Sequence, residues 1–432
     1  MDHLGLDLGT TTISAAVLDA DGRLLCTRTV PGGAAVAGQP WERKQDASGI
    51  ECTALSLLDG LLQEFPDIGC VGLTGQMHGI VYVDAAGQLL SPLYTWQDET
   101  GAQLGPDGKS TAARLTARTG YPLASGYGLV TLACHQAAGT IPDGAAAVCT
   151  IADHLAMRLS GRSTPRLTPS MAASLGLFDG TGFDREAVRR AGLPERLLPE
   201  VSEEAELGGG RLRVFAALGD NQASFLGAGQ GRLDAPLVNI GTGSQFSFFT
   251  KEHRTVPGLE TRPFPGGWLL TGAPLCGGRS FALLERFFRQ TAELVTGTPC
   301  PSAYPAMLRA LEAPMPDDVP QFRTTFAGTR QDPAERAVLS GLDEENFAPV
   351  PLLHALLRGM ADELSACYRA ALKAGCAPAG RLLGSGNGLR RNPALQRAVE
   401  RSFGLPLTLA AVPEEAACGA ALFARMQHEA AL

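Results

Sequence analysis

Asp7-Leu8-Gly9-Thr10-Thr11 brings a carboxylate, a turn with little side-chain bulk and two hydroxyls together in five residues. Phosphate is held by backbone N–H groups that no side chain screens, and a nearby carboxylate can hold the water shell of Mg2+. Gly9, Thr10 and Thr11 are therefore candidate phosphate contacts, with Asp7 the candidate metal residue. A Gly-Thr turn closing an ordinary hairpin has the same letters. A second turn of this kind, Gly241-Thr242-Gly243, lies in the other half of the chain, and two of them facing each other could grip a triphosphate such as ATP. Transfer of the terminal phosphoryl group then needs positioning, charge neutralisation and one carboxylate that takes a hydroxyl proton late. Asp220 falls between a predicted strand and a predicted helix, where α/β proteins place reactive groups. An N-cap is the other common role of an Asp at such a position.

Three further groups carry side chains suited to a polar substrate. Trp96 and Asp98 pair an indole, which covers an apolar sugar face, with a carboxylate that can accept hydroxyl protons. Gln76, Met77 and His78 follow a predicted strand and could line the same subsite, with His78 a hydrogen-bond donor or simply a satisfied structural group. Gln222 either bonds the substrate or begins the helix after Asp220. The glycine-rich turn Gly384-Ser385-Gly386-Asn387 lies between a strand at 381–383 and a helix starting near Asn392, and suits the close approach of adenosine. The common nucleotide loops do not occur: there is no GxxxxGK[ST], and Leu389 stands where GxGxxG needs its last glycine.

These residues need a scaffold of some size. A chain of 432 residues with 45% hydrophobic content exceeds a single ordinary core and predicts two domains. The acidic and then glycine-rich stretch 201–213 places their border near Gly210, giving domains 1–210 and 211–432. Apolar runs at 4–8, 12–18 and 24–30, separated by turns, open the chain as an antiparallel meander. A helix over 49–65, strands at 70–73 and 80–83 and a long amphipathic helix over 352–374 continue an α/β pattern.

Composition excludes several classes. The net charge of -8 leaves no basic surface for nucleic acid. Ten cysteines without a CxxC pair read as buried thiols in a reducing compartment. The opening MDHLGLDLGTTT lacks the basic and apolar regions of a secretory signal, so a cytoplasmic location is expected. The stretch 119–142 is uncharged but rich in glycine and proline, and reads as a loop leading into a short buried helix rather than a membrane span. A monomer or homodimer is expected.

The order of motifs resembles the FGGY carbohydrate kinases of the actin, Hsp70 and sugar-kinase superfamily. Leu73 to Gly79 resembles the ketose-kinase GQMHG turn, Thr95-Trp96-Gln97-Asp98 the W-[NQ]-D motif, and Leu218 to Ser224 the catalytic GDxxA segment. Gly328-Thr329-Arg330 through Asp332-Pro333 resembles a clipped GERTPHxDP loop, while 384–392 and 415–421 resemble the adenosine turn and the closing helix. The resemblance implies two actin/hexokinase-like (ribonuclease H-like) α/β domains with an ATP and sugar cleft between them, Asp220 as catalytic base, and ATP with Mg2+ as cofactors. It implies a small-molecule ketose substrate phosphorylated on a terminal hydroxyl; closure on substrate is expected because the two candidate phosphate turns lie in different halves joined near Gly208 to Gly210. TWQD, LGDNQAS and GSGNGLRRN are more similar to the sedoheptulokinase branch than to the xylulokinase branch. A non-kinase ATPase of the superfamily would share the phosphate turns without needing GQMHG or TWQD.

Overall fold

The computed structural model describes residues 1–275, 277–329, 332 and 334–430. It divides into two compact units. The first comprises Met1–Gly231, Pro263–Pro265 and the chain from Val412 onward; the second comprises Arg232–Arg262 and Gly266–Ala411. The border therefore lies at Gly231/Arg232 and not near Gly210, and Asp220 belongs to the same unit as Asp7. The cause is local. Glu206–Gly208 folds back antiparallel onto Arg213–Phe215, and Gly208, Gly209 and Gly210 take φ of 102°, 117° and 67° to make that turn. Glycines that look like a linker are a hairpin on a sheet edge.

The first unit is built on a seven-stranded sheet. Its main path runs 206–208, 213–215, 68–75, 2–8, 12–18, 24–31, and Leu218–Gly219 also pairs with the 68–75 strand. The first three strands form the expected meander, while Ile68–Gly75 and Leu218–Gly219 run parallel to their neighbours. The central strand Asp2–Leu8 is buried almost throughout, because it is covered on both faces. Leu4, Leu6 and Leu8 enter one continuous core with Ile50, Ala54 and Leu58 of the helix Ala47–Glu64. The closing helix Glu415–Ala430 lies so near the strands that a Cβ at Gly5 would stand 1.9 Å from the Ala417 carbonyl, and one at Gly72 2.0 Å from that of Ala420. The uncharged stretch holds the helix Gly128–Ala138, with Leu129, Val130 and Leu132 buried.

The second unit has a six-stranded sheet in the order 260–264, 267–272, 244–250, 237–240, 382–385, 407–409. Its core is organised by the long helix Pro349–Lys373, whose Leu353, Leu356, Leu357, Met360 and Leu364 are buried at the predicted helical spacing. No helix among the described residues is long and apolar enough to cross a membrane. The nine described cysteines are all free thiols.

Candidate active site

The carboxyl ends of three neighbouring strands in the first unit bring the candidate groups together. Asp7 pairs with Thr74, and Thr74 with Leu218; one residue on, Leu8 pairs with Gly75, and Gly75 with Gly219. Asp220 is the next residue and opens the helix Asp220–Ala228, with Gly219 in the N-cap position. The N-cap alternative for Asp220 is thereby removed, and its carboxylate belongs to the first helical turn at the same end of the sheet as Asp7. The two acids sense each other. The Asp7 carboxyl is pushed up to about 7, first by burial, then by the charges of Asp220 and Glu414.

Glu414 went unnoticed in the motif reading. It reaches the site through a polar row across the sheet: Asp7 is paired with Ser14 and Ser14 with Thr29, the two hydroxyls lie 3.2 Å apart, and Thr29 Oγ1 donates to Glu414 Oε1 at 3.1 Å. The available signal was an acidic residue placed just before the closing helix, a position that favours negative charge.

The Gly9–Thr11 turn, the first candidate phosphate turn, is held by amides. Gln45 Nε2 donates to the Thr10 carbonyl at 2.8 Å and to that of Gly33 at 3.2 Å. Gln76 Nε2 donates to Gln45 Oε1 at 2.7 Å and lies 3.4 Å from the Gly9 carbonyl. Gly32 N donates to the Thr11 carbonyl. Gly9 itself has no room for a side chain, since a Cβ would meet the Thr12 carbonyl at 2.9 Å. In front, the indole N–H of Trp96 donates to Thr10 Oγ1 at 3.1 Å, and the ring remains 47% exposed.

The expected sugar groups divide. His78 sits at the edge of the site in a left-handed conformation, φ 71°, with Nδ1 2.6 Å from the Ser174 carbonyl and its ring stacked on Tyr127 at 4.7 Å. The carbonyl requires a proton on Nδ1, so the ring is both a donor and a braced structural element. Asp98 is different from expectation. Its side chain is 1% exposed and accepts from the Arg43 amide at 3.0 Å and the Thr100 amide at 2.9 Å. It ties down the loop that presents Trp96, and its oxygens are spent on backbone. Met77 and Gln222 are also buried. They crowd Gly219, where a Cβ would stand 2.4 Å from Gln222 Oε1 and 2.9 Å from Met77 Sδ, while Gln222 Nε2 donates to the Pro263 carbonyl. Both pack beneath the Asp220 segment.

Two family models cover most of the chain: the FGGY carbohydrate kinase N-terminal domain over residues 3–230 and the C-terminal domain over 237–428. The chain belongs to the FGGY family of carbohydrate kinases. Among its relatives are sedoheptulokinases of Mus musculus and Homo sapiens, 28% and 29% identical, with 97% and 98% of this chain and 96% and 97% of theirs covered. A xylulose kinase of Streptomyces coelicolor is 26% identical, covering 97% of this chain and 86% of its own. In fold, the kinase matches the crystal structure of xylulose kinase from Rhodospirillum rubrum with a TM-score of 0.82 at 23% identity, over 99% of this chain and 90% of that one. The two-part α/β fold expected from the motifs is thus borne out, as is an ATP-dependent sugar kinase.

The second unit of the kinase carries the other turns expected to meet the nucleotide. Gly241 and Gly243 face open space, with nothing within 4 Å of an added Cβ. The turn is braced from below by a segment that the motifs did not reveal. Gly278 N donates to the Gly241 carbonyl and Arg279 N to that of Thr242, at the start of the helix Gly278–Thr296. The adenosine-type turn divides as well. Gly384 and Ser385 are buried, Gly386 is half-buried and Asn387 is exposed. Gly386, at φ 87°, passes so close to the strand end that leads into the Gly241–Gly243 turn that a Cβ would lie 2.5 Å from the Ile240 carbonyl. In the clipped loop, Asp332 N donates to Thr329 Oγ1, whereas Arg330 and Pro333 lie outside the described residues.

Proposed function

We propose that this kinase transfers the γ-phosphate of ATP to the terminal hydroxyl of a ketose, and that sedoheptulose is its substrate. The observation that carries the choice of sugar is the similarity to two sedoheptulokinases along nearly the whole length of both chains. The mechanism rests on the strand register that puts Asp7 and Asp220 at one sheet end. Asp220 accepts the proton of the attacking hydroxyl, while His78 and the Trp96 ring bound the sugar. Asp98 acts by holding the Trp96 loop, and Gln222 and Met77 by supporting the strand end that leads into Asp220. Gly9, Thr10 and Thr11 in the first unit and Gly241, Thr242 and Gly243 in the second contact phosphate, and Gly386 and Asn387 contact adenosine.

Asp7 is the residue suited to Mg2+. Mg2+ is usually bound through one or two carboxylates, waters and substrate phosphates, and Asp7 would be such a carboxylate. The Asp7 carboxyl is pushed up first by burial and then by the charges of Asp220 and Glu414, and a cation beside it would offset those charges. When bound, Mg2+ supplies neutralisation of charge on the transferring phosphoryl group. The expected location is cytoplasmic.

The test is a coupled ADP-release assay with sedoheptulose, xylulose, ribulose, fructose and glycerol, followed by phosphorus NMR of the product. Sedoheptulose phosphorylated at the end of the chain far from the ketone is the expected product. Turnover of glycerol alone, or of no ketose, contradicts the proposal.

A further inference from the structure

Gln45 and Gln76 form a chain of two side-chain amides, and their orientation is dictated by their neighbours. Gln45 faces two carbonyls, those of Thr10 and Gly33, so that end must be its NH2 group. Its oxygen is therefore turned to Gln76, which must answer with Nε2. This leaves Gln76 Oε1 pointing away from the phosphate turn. Gln76 is only 3% exposed and Gln45 8%, and Gln76 Oε1 is buried without a hydrogen-bond partner. An unsatisfied buried acceptor is costly and uncommon, and the group that completes this one must be a donor such as a hydroxyl.

We infer that Gln45 is a positioning residue that couples the sugar site to the phosphate turn. The inference rests on the sugar-kinase reading above. A hydroxyl of the bound sugar donates to Gln76 Oε1; Gln76 Nε2 holds Gln45 Oε1; Gln45 Nε2 holds the Thr10 carbonyl. Each bond polarises the next, so occupation of the sugar site tightens the loop that receives ATP. Coupling of this kind is a ratio of affinities and is reciprocal. It involves no covalent change.

The experiment measures the Kd of a non-hydrolysable ATP analogue by calorimetry, with and without saturating ketose, in wild type, Gln45→Leu, Gln45→Glu and Gln76→Leu. Gln45→Glu is near-isosteric and can still accept from Gln76, but cannot donate to the turn. Melting curves report whether each variant is folded. Wild type is expected to bind the analogue at least about fivefold tighter with sugar, within the usual range for coupled sites. In all three variants that factor should fall to within about twofold of unity, and Gln76→Leu should in addition weaken sugar binding. Two results overturn the inference alone: a wild type that binds sugar without coupling, or Gln45 variants in which both analogue affinities fall equally and the ratio is kept. A wild type that binds none of the ketoses overturns the sugar reading and this inference with it.

Discussion

Asp220 follows directly on Gly219, which pairs with Gly75 beside Leu8, so a base at that point is held by the sheet and not by a loop. A general base contributes about 10²- to 10⁴-fold. Asp220→Asn should lower turnover by that order while a calorimetric titration shows ATP analogue binding retained, and turnover within a few-fold of wild type would remove Asp220 from the mechanism. Asp7 gives a pH signature. Its carboxyl is pushed up to about 7, and Mg2+ competes with the proton, so the Mg2+ half-saturation should rise by about tenfold per pH unit below the folded pKa and level off above it. For the metal-free protein the linkage runs the same way: stability associated with the protonated acid is present below the unfolded pKa and lost as pH rises through about 7. Glu414→Gln removes one of the charges that raise Asp7, and should move the break in the Mg2+ profile to lower pH. An unchanged profile would show that Glu414 does not act on Asp7. The positions of Asp7 and Asp220 at strand ends were legible from the apolar runs and glycines beside them, and the register that brings those ends together was not. The burial of Asp98 was not legible, since residue type does not reveal whether a carboxylate will be occupied by the amides of Arg43 and Thr100. Gln45 and Glu414 were missed for a related reason: their partners Thr10 and Thr29 are distant in sequence, and pattern reading sees only neighbours.

The strands and helices that carry these groups were mostly readable from periodicity. The meander, the helix Ala47–Glu64 and the long helix Pro349–Lys373 all follow from the spacing of apolar residues. What periodicity does not convey is how closely two elements approach. The closing helix meets the Asp220 helix through glycine on both sides: a Cβ at Gly419 would stand 1.8 Å from the Ala223 carbonyl, and one at Gly227 1.9 Å from that of Glu415. Ala223 lies three residues past Asp220, so this contact also fixes the segment that carries the proposed base. Gly419→Ala gains up to about 1 kcal/mol of helix propensity but forces backbone apart, and overpacking typically costs about 1–3 kcal/mol. The substituted protein should melt at a lower temperature and show reduced kcat with little change in the KM for ATP. A melting temperature at or above wild type would mean that the two helices separate without penalty.

On the scale of the whole molecule, the first unit needs both ends of the chain. Its sheet begins with Asp2 and its closing helix comes from beyond Val412, while the second unit is contained within 232–411. A border sought by composition finds the glycines at 208–210, because a hairpin and a linker draw on the same residues; only the pairing of Gly208 with Val214 tells them apart. The family models cover both units, and in the proposed function the identity of the sugar depends on a few polar groups around His78 and Trp96. A site that hydrogen-bonds particular hydroxyls can reject analogues lacking them by about 10⁴- to 10⁵-fold, far beyond what an apolar pocket achieves. The decisive measurement is kcat/KM for sedoheptulose and for xylulose under one set of conditions with saturating ATP. The account predicts a clear advantage for sedoheptulose; an advantage for xylulose would contradict the substrate assignment, and activity on neither would contradict the ketose kinase itself.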